Sequence, residues 1–409
     1  MNSKMSQRRQ HTGERRVLSG IRTWLRPPRA HGEVIEDRTV SFLELFYDLV
    51  FVVLVAQIAH TLADDVSWTG VRDFMLVFAL IWMAWANGTL YHELHGGEDG
   101  RSRSYIFAQM SLLVVLSVYA GHATTDAGDG RGFAVACTLL LALIGWQWFD
   151  ARRHDAREMR PLATSYVVGV AAATAVMAAS AFVTDNDIRL MLWLLAAGGS
   201  LIVSLMQMPK FGEALRVTES MSERFGLFVI IVLGEVVVGV ADGLAEAEAD
   251  LRTLATGLLA LGIGFGLWWN YFDFVGRRIP RSGNAPRSIW LYGHFPLVMS
   301  VAAVGAGMVS LIEHAADGRA PVNSAWLIAG ATAVATASIA VVAGTMSSDP
   351  GRRFVPHALL SAGIVSVALG ALRPPPWALA AGLSAVLFAV WADAFVRHAR
   401  HGLPIAQTQ

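Results

Sequence analysis

The sequence predicts an all-α, polytopic membrane protein of about twelve transmembrane helices arranged as two parallel six-helix repeats. Three observations predict it: an excess of apolar residues, an alternation of charge between successive loops, and motifs that recur in the same order in both halves. Of 409 residues, 54% are hydrophobic and only 16% are charged, more apolar sequence than a soluble domain of this size needs. A bilayer core about 30 Å thick takes roughly 20 apolar residues per helical span, and such runs follow one another almost from end to end.

Residues 1–38 are polar and basic, with Lys4, Arg8, Arg9, Arg15, Arg16, Arg22, Arg26, Arg29 and Arg38 around a Pro27-Pro28 break. They read as a solvated, disordered tail. No short apolar stretch with a small-residue cleavage site precedes Ser41, so the first span is expected to remain in the protein. Beside a membrane helix, a basic arm reads as a topology signal rather than a nucleic-acid site. Helices are then expected at 43–63, 70–91, 104–122, 132–150, 162–183, 188–207, 222–243, 252–274, 289–312, 323–344, 356–371 and 377–396. The eleventh is short, because Pro374-Pro375-Pro376 prevents its continuation. Alternate loops hold the positive charge: Arg101 and Arg103; Arg152, Arg153, Arg157 and Arg160; Lys210 and Arg216; Arg277, Arg278, Arg281 and Arg287; Arg352 and Arg353. The intervening loops carry mainly acids, among them Asp64, Asp65, Asp126, Asp129, Asp185, Asp187 and Asp317. Positive loops stay in the cytoplasm, so both termini are expected there, including a short tail at 399–409 with Arg400 just inside it.

The two halves, 39–210 and 211–398, share motifs. Glu44-Leu45-Phe46 matches Glu223-Arg224-Phe225 at the start of the first and seventh spans. Trp85-Ala86-Asn87 matches Trp268-Trp269-Asn270 near the end of the second and eighth. Phe107-Ala108-Gln109 stands where the second half has Tyr292-Gly293-His294. Six spans per half makes the repeats parallel, related by an axis along the membrane normal, and sites in such proteins lie at the repeat interface.

Leu43-Glu44-Leu45-Phe46-Tyr47-Asp48-Leu49-Val50-Phe51-Val52, the Glu223-Arg224-Phe225 opening with Gly234-Glu235, and Tyr292-Gly293-His294 together resemble the bacterial low-temperature-requirement A family, over about residues 38–398. The resemblance implies a multi-pass protein of the bacterial inner membrane, linked by its name to growth in the cold, and implies no reaction or substrate. Phe46-x-Asp48-x-Val50-Phe51 also looks like the first-helix signature of the six-helix-repeat potassium channels of lysosomes and prokaryotes. Tyr47 stands here in place of their usual serine, and the second half has Leu227 at the aspartate position.

The candidate site residues are the polar groups within spans: Glu44, Asp48, Gln57, Glu235 and His294. A carboxylate at mid-bilayer is costly by a few kcal/mol if charged, so Glu235 should be protonated, paired or facing water. It reads either as a packing residue hydrogen-bonded to a neighbouring helix or as part of an ion or proton path. Glu44 and Asp48 lie near a helix N-terminus, where carboxylates are favourable, and can meet an arginine of the Arg101 or Arg277 loop. Gln57, His60 and Asp64 form another stripe on the same helix. Asn87 and Asn270 read as hydrogen-bonding glue between helices or as interfacial anchors. His294 precedes Pro296, where a kink would free a backbone carbonyl to line a cavity.

His92 and His95 have the i, i+3 spacing of a metal pair, with no acid or cysteine cluster to complete it. The single cysteine, Cys137, allows neither an internal disulfide nor a thiolate cluster. No phosphate loop, zinc-protease helix or nucleophile elbow occurs, so neither an enzyme nor a cofactor is expected. The expected function is secondary transport or ion conduction of a small ion or solute, with the lipid bilayer as partner and homo-oligomerisation open. The alternative is a non-transporting sensor, structural or assembly protein for cold or stress adaptation.

Overall fold

The computed structural model describes residues 27–30, 40–97, 99–211, 215–248, 250–346 and 354–401. Among them are twelve α-helices, each long and apolar enough to cross a membrane. They are α1 Phe42–Asp64, α2 Trp68–His95, α3 Gly100–Ala120, α4 Ala127–His154, α5 Arg160–Ser180, α6 Asn186–Phe211, α7 Glu219–Glu246, α8 Leu251–Phe274, α9 Asn284–Glu313, α10 Val322–Ala343, α11 Val355–Leu372 and α12 Pro376–His401. Every expected span is present in its expected order, but several helices run further than their apolar cores. Hydropathy marks only the part of a helix that suits lipid, whereas its backbone hydrogen bonds continue into the polar interface. Thus Arg152 and Arg153 occupy the last turn of α4 rather than a loop. Arg287, also expected in a loop, is a buried residue of α9.

Local sequence explains where many helices start and stop. Ser41, Ser67, Asp99, Asp126, Thr218 and Asp250 each accept a backbone N–H at a helix N-terminus, satisfying donors that have no partner within the helix. Backbone N–H groups of Asp129 and Gly128 hold the Asp126 carboxyl below the usual carboxylate range, and that of Thr253 does the same for Asp250. These caps therefore persist at neutral pH and weaken as acid protonates them. The eleventh helix is short as expected: Arg373 takes a left-handed conformation, φ 50°, directly before Pro374.

Loop contacts sort into two sets. On the face where α1 begins, the described tail piece 27–30 lies against the end of α2: Arg29 N–H donates to the His95 carbonyl at 3.3 Å, and the Arg29 side chain reaches the Glu93 carbonyl. Residues 1–26 and 31–38, the remainder of the expected basic tail, lie outside the described residues, as do Arg352, Arg353 and 402–409. Thr218 and Ser220 at the start of α7 donate to the Glu93 carboxylate at 2.7 and 2.8 Å, joining the two halves on this face. On the opposite face, Arg189 donates to the Ala127 carbonyl and Arg252 to that of Ala316. Among the described residues these contacts keep to their own face, as expected of helices that alternate in direction.

The packing pairs follow one scheme twice. In the first half α1 packs on α2 and α3, and α3, α4, α5 and α6 pack in succession, with α2 closing against α6. In the second half α7 packs on α8 and α9, and α9 to α12 pack in succession, with α8 closing against α12. The junction between halves is less regular. Helix α9 packs on α1, α2 and α6 as well as α7, whereas contacts of α3 with the second half are not among the main ones. Accordingly 72% of the apolar window of α9 is buried against 39% of that of α3. The outer helices expose Phe107, Val118, Leu258 and Ile364, apolar surface that suits lipid and not water.

Helices α7 and α9 approach closely because both carry glycine at the crossing. A Cβ on Gly239 would lie 2.2 Å from the Gly305 carbonyl oxygen, and one on Gly305 would lie 2.6 Å from that of Glu235. Backbone, not a flexible side chain, would have to yield. Gly305→Ala is therefore expected to cost about 1–3 kcal/mol. Gly234→Ala, with nothing within 4 Å of the new methyl, should be neutral or stabilising by up to about 1 kcal/mol. Thermal unfolding of the detergent-solubilised protein checks both, and equal effects of the two changes would refute the close crossing.

Candidate functional site

The polar residues within the spans form two groups, one toward each face. In the first, Asp48 of α1 is fully buried and fully bonded. Its Oδ1 accepts the Trp85 indole N–H at 2.8 Å and Arg224 Nη2 at 3.0 Å, and its Oδ2 accepts Arg224 Nε at 3.1 Å. Arg224 of α7 also lies 3.7 Å from Glu44 and faces the Tyr47 ring. Glu44 does a second task. Its carboxylate accepts the Ser41 backbone N–H while Ser41 Oγ accepts the Glu44 N–H, a complete capping box. The carboxylates thus meet an arginine, as expected, but it comes from α7 rather than from the Arg101 or Arg277 loop. Arg101 pairs instead with Asp150.

Beside this pair, Tyr47 donates to Gln109 at 2.6 Å, and Gln109 donates to Gln147 at 2.6 Å. The second half has a counterpart. The Tyr271 hydroxyl lies 3.0 Å from His294 Nε2, and His294 Nδ1 lies 2.6 Å from the Trp290 carbonyl. A carbonyl only accepts, so Nδ1 carries hydrogen and a neutral ring accepts from Tyr271 at Nε2. Aligning the motifs residue by residue places Gly226 opposite Tyr47 and Tyr271 opposite Gly88, so tyrosine and glycine have changed places between first and second helices. In both halves a phenol reaches the polar residue of the third helix. A methyl group on Gly88 would stand 2.8 Å from the Tyr47 hydroxyl, which shows why both positions cannot be filled.

His294 is enclosed by Phe225, Trp290 and Tyr271, and α9 continues as one helix through Pro296. Both ring nitrogens are thus engaged with protein, at Tyr271 and at the Trp290 carbonyl. Asn270 does link helices, donating to the Leu387 carbonyl of α12 at 3.0 Å, whereas Asn87 donates only to the Met83 carbonyl of its own helix. His92 and His95 are both buried, and no group of metal-ligating side chains occurs among the described residues.

The second group lies toward the face where α1 and α7 end. Glu235 is 4% exposed and borders a cavity of about 10 Å³ between α1, α7 and α9, lined also by Ala59, His60, Ala63, Gly239, Asp242 and Gly305. His60 Nε2 and Asp242 Oδ2 stand 3.9 Å apart at its mouth. Gln57 does not join them: its side chain is exposed, on the side of α1 nearest Gly121. Glu235 is 11 residues beyond Arg224, a rise of about 16 Å, and between the groups Phe51, Leu54, Val55, Phe228, Val229 and Val232 are buried. A buried apolar section separates the Glu235 carboxyl group from the Asp48–Arg224 ion pair.

In the sequence Arg224 is one residue of the Glu223-Arg224-Phe225 motif, which by itself assigns it no role. A guanidinium six residues into an apolar helix is the signal that it has an acidic partner nearby. Trp85, Tyr47 and Gln109 gave no such signal, since each also suits a membrane helix as packing or glue.

A family model described as Bacterial low temperature requirement A protein (LtrA) matches residues 39–392. A curated protein of Rhizobium meliloti (strain 1021), named Uncharacterized protein RA0937, is 25% identical over 316 residues, covering 71% of this chain and 73% of its own length. No solved structure matches the chain.

Proposed function

The chain belongs to the bacterial low temperature requirement A family, and from that membership and the two intramembrane polar groups we propose that it carries a small ion or solute across the membrane, as a secondary transporter or an ion-conducting protein. The observation that carries this reading is Glu235, a buried acid at a small cavity where α1 of the first half meets α7 and α9 of the second. Intramembrane ionisable residues are functional by default, because lipid penalises them and packing alone can be done by apolar side chains. The duplicated scheme of helix pairs supports an origin from two parallel six-helix repeats, 39–210 and 211–398, with a site at their junction. The Asp48–Arg224 pair closes the other end in the state described here, so passage requires this end to loosen while the Glu235 end tightens.

Uptake of candidate ions into proteoliposomes, with and without an imposed pH gradient, tests the proposal. Flux above that of empty vesicles is expected for at least one ion. Equal flux with and without protein, for every ion and gradient, would instead favour a sensor or assembly protein without enzymatic activity.

Orientation in the bacterial inner membrane follows from the basic loops. Reporter fusions after Asp126 and after Ala245 are expected outside the cell, and fusions after Asp155 and at Gln409 inside. A C-terminus found outside would reverse the assignment of faces or remove one span.

A further inference from the structure

The buried charges nearer the start of α1 are bonded on every side, but Glu235 is not. Among the described residues its carboxyl group makes no hydrogen bond and no ion pair, although the residue is only 4% exposed. It borders the cavity between α1, α7 and α9. A buried acid without a protein partner needs an external one, since desolvating it uncompensated costs several kcal/mol in lipid. The cavity limits what that partner is. About 10 Å³ is at the lower limit for a single water molecule and is far too small for an organic solute, which needs hundreds of Å³.

A dehydrated metal cation is excluded by the walls. Such an ion takes its coordination from a shell of oxygens that replaces its water. Here, apart from Glu235, His60 and Asp242, the lining is Ala59, Ala63, Val238, Gly239, Gly305, Ala306 and Val309, all without polar side chains. Two carboxylates about 10 Å apart along α7, from seven residues of rise, cannot encircle one ion. A proton needs one carboxyl oxygen and, at most, one bridging water.

The ionisable groups around Glu235 lie on one side of it only. Helix α1 contributes His60 and, further out, Asp64, while α7 itself contributes Asp242 and Glu246. Helix α9 brings Glu313 and the following His314 only at its end, beside Glu246 and Asp64. Residues 257–267 of α8, which back α7, contain no ionisable side chain. His60 and Asp242 are both partly exposed, about four residues short of their helix ends. Their exposure joins the cavity to the aqueous face.

We propose that Glu235 is a proton-binding site loaded from the face where α1 and α7 end, through the His60–Asp242 pair, and that the species this protein moves or couples to is therefore a proton. This names the ion for the transport reading and rests on that reading for the use made of the proton, but the site can be tested without flux.

The full-length protein in phosphatidylethanolamine and phosphatidylglycerol vesicles would be treated with dicyclohexylcarbodiimide, an apolar reagent that attacks protonated carboxyl groups within membranes. The acid oxygen bonds to the central carbon and its proton passes to a carbodiimide nitrogen; an acyl shift to the other nitrogen then leaves a stable N-acylurea with no atom lost. Peptide mass spectrometry is expected to find this adduct on Glu235. Its rate of formation should fall about tenfold per pH unit on the alkaline side of the midpoint, and sodium or potassium at constant pH and ionic strength should not change it. Glu235→Gln serves as the unlabelled control. Protection by sodium or potassium would overturn the assignment in favour of a metal cation, and absence of the adduct at every pH would remove the site. An adduct without proton flux would leave the site standing and sink the transport reading; proton flux without an adduct would do the reverse.

Discussion

Arg224→Leu is expected to destabilise the protein by about 3–5 kcal/mol, the usual cost of removing one partner from a buried ion pair. Asp48, with no exposure at all, would be left accepting only the Trp85 indole N–H, and Glu44 would lose its contact with the guanidinium. Asp48→Leu should cost a similar amount for the opposite reason, since the guanidinium would keep only the longer contact to Glu44. The double change should not add. With both charges gone, α1 and α7 would face each other with leucine, and the molecule already contains that arrangement's halves: Leu227 stands at the repeat position of Asp48 and Leu45 at that of Arg224. A residual loss of about 1–3 kcal/mol would remain from the unpaired indole of Trp85. Thermal unfolding in detergent of the two single variants and the double variant measures the coupling. Single losses within about 0.5 kcal/mol of zero, or a strictly additive double variant, would show that the pair does not hold the halves together.

Much of the architecture was legible because lipid leaves few options for a spanning chain. Apolar runs separated by loops of alternating charge locate twelve helices, and Ser41 with Glu44 spells its own capping box. What could not be read was rotation. Every face of α1 is apolar enough to meet either lipid or protein, so nothing in the sequence told that His60 turns to the α7 junction while Gln57 turns outward. Similarly Asp48 announces that it needs a cation, but which helix supplies it depends on which helices are neighbours. Arg224 is 176 residues away, and only the packing of α1 on α7 brings them together. Which groups the His294 ring meets was hidden in the same way: Pro296 removes one donor from α9, and packing brings Tyr271 to Nε2 while Nδ1 bonds the Trp290 carbonyl.

The exchange of tyrosine and glycine between the halves lies between these cases. The motifs that align the repeats end one residue before it, at Phe46 with Phe225 and at Asn87 with Asn270. Read singly, Tyr47 opposite glycine and Tyr271 opposite glycine are two mismatches that weaken the alignment. Read on the helices, they are one compensated change, because the volume and the hydroxyl removed from the first helix of a half reappear on its second. In both halves a phenol therefore meets the polar residue of the third helix, Gln109 or His294.

Glu235→Gln is expected to leave the protein folded and inserted while reducing proton-dependent flux to the level of empty vesicles. Glutamine keeps the length, the shape and a hydrogen-bonding carbonyl of the protonated acid, and the cavity beside it is already present, so packing at the Gly239–Gly305 crossing is undisturbed. What it loses is the capacity to take up and release a proton. Glu235→Ala removes that capacity and also the side-chain volume that borders the cavity, and should cost about 1–3 kcal/mol in addition to the flux. The comparison separates chemistry from packing, since a packing residue would show its loss in the alanine variant and none in the glutamine variant. Flux driven by an imposed pH gradient, measured beside thermal unfolding of the same preparations, provides both readings. Should the glutamine variant carry the parent's flux with the parent's pH dependence, Glu235 would be structural only, and the path between the halves would be sought at Asp48 with Arg224, a pair that would then have to open in every cycle.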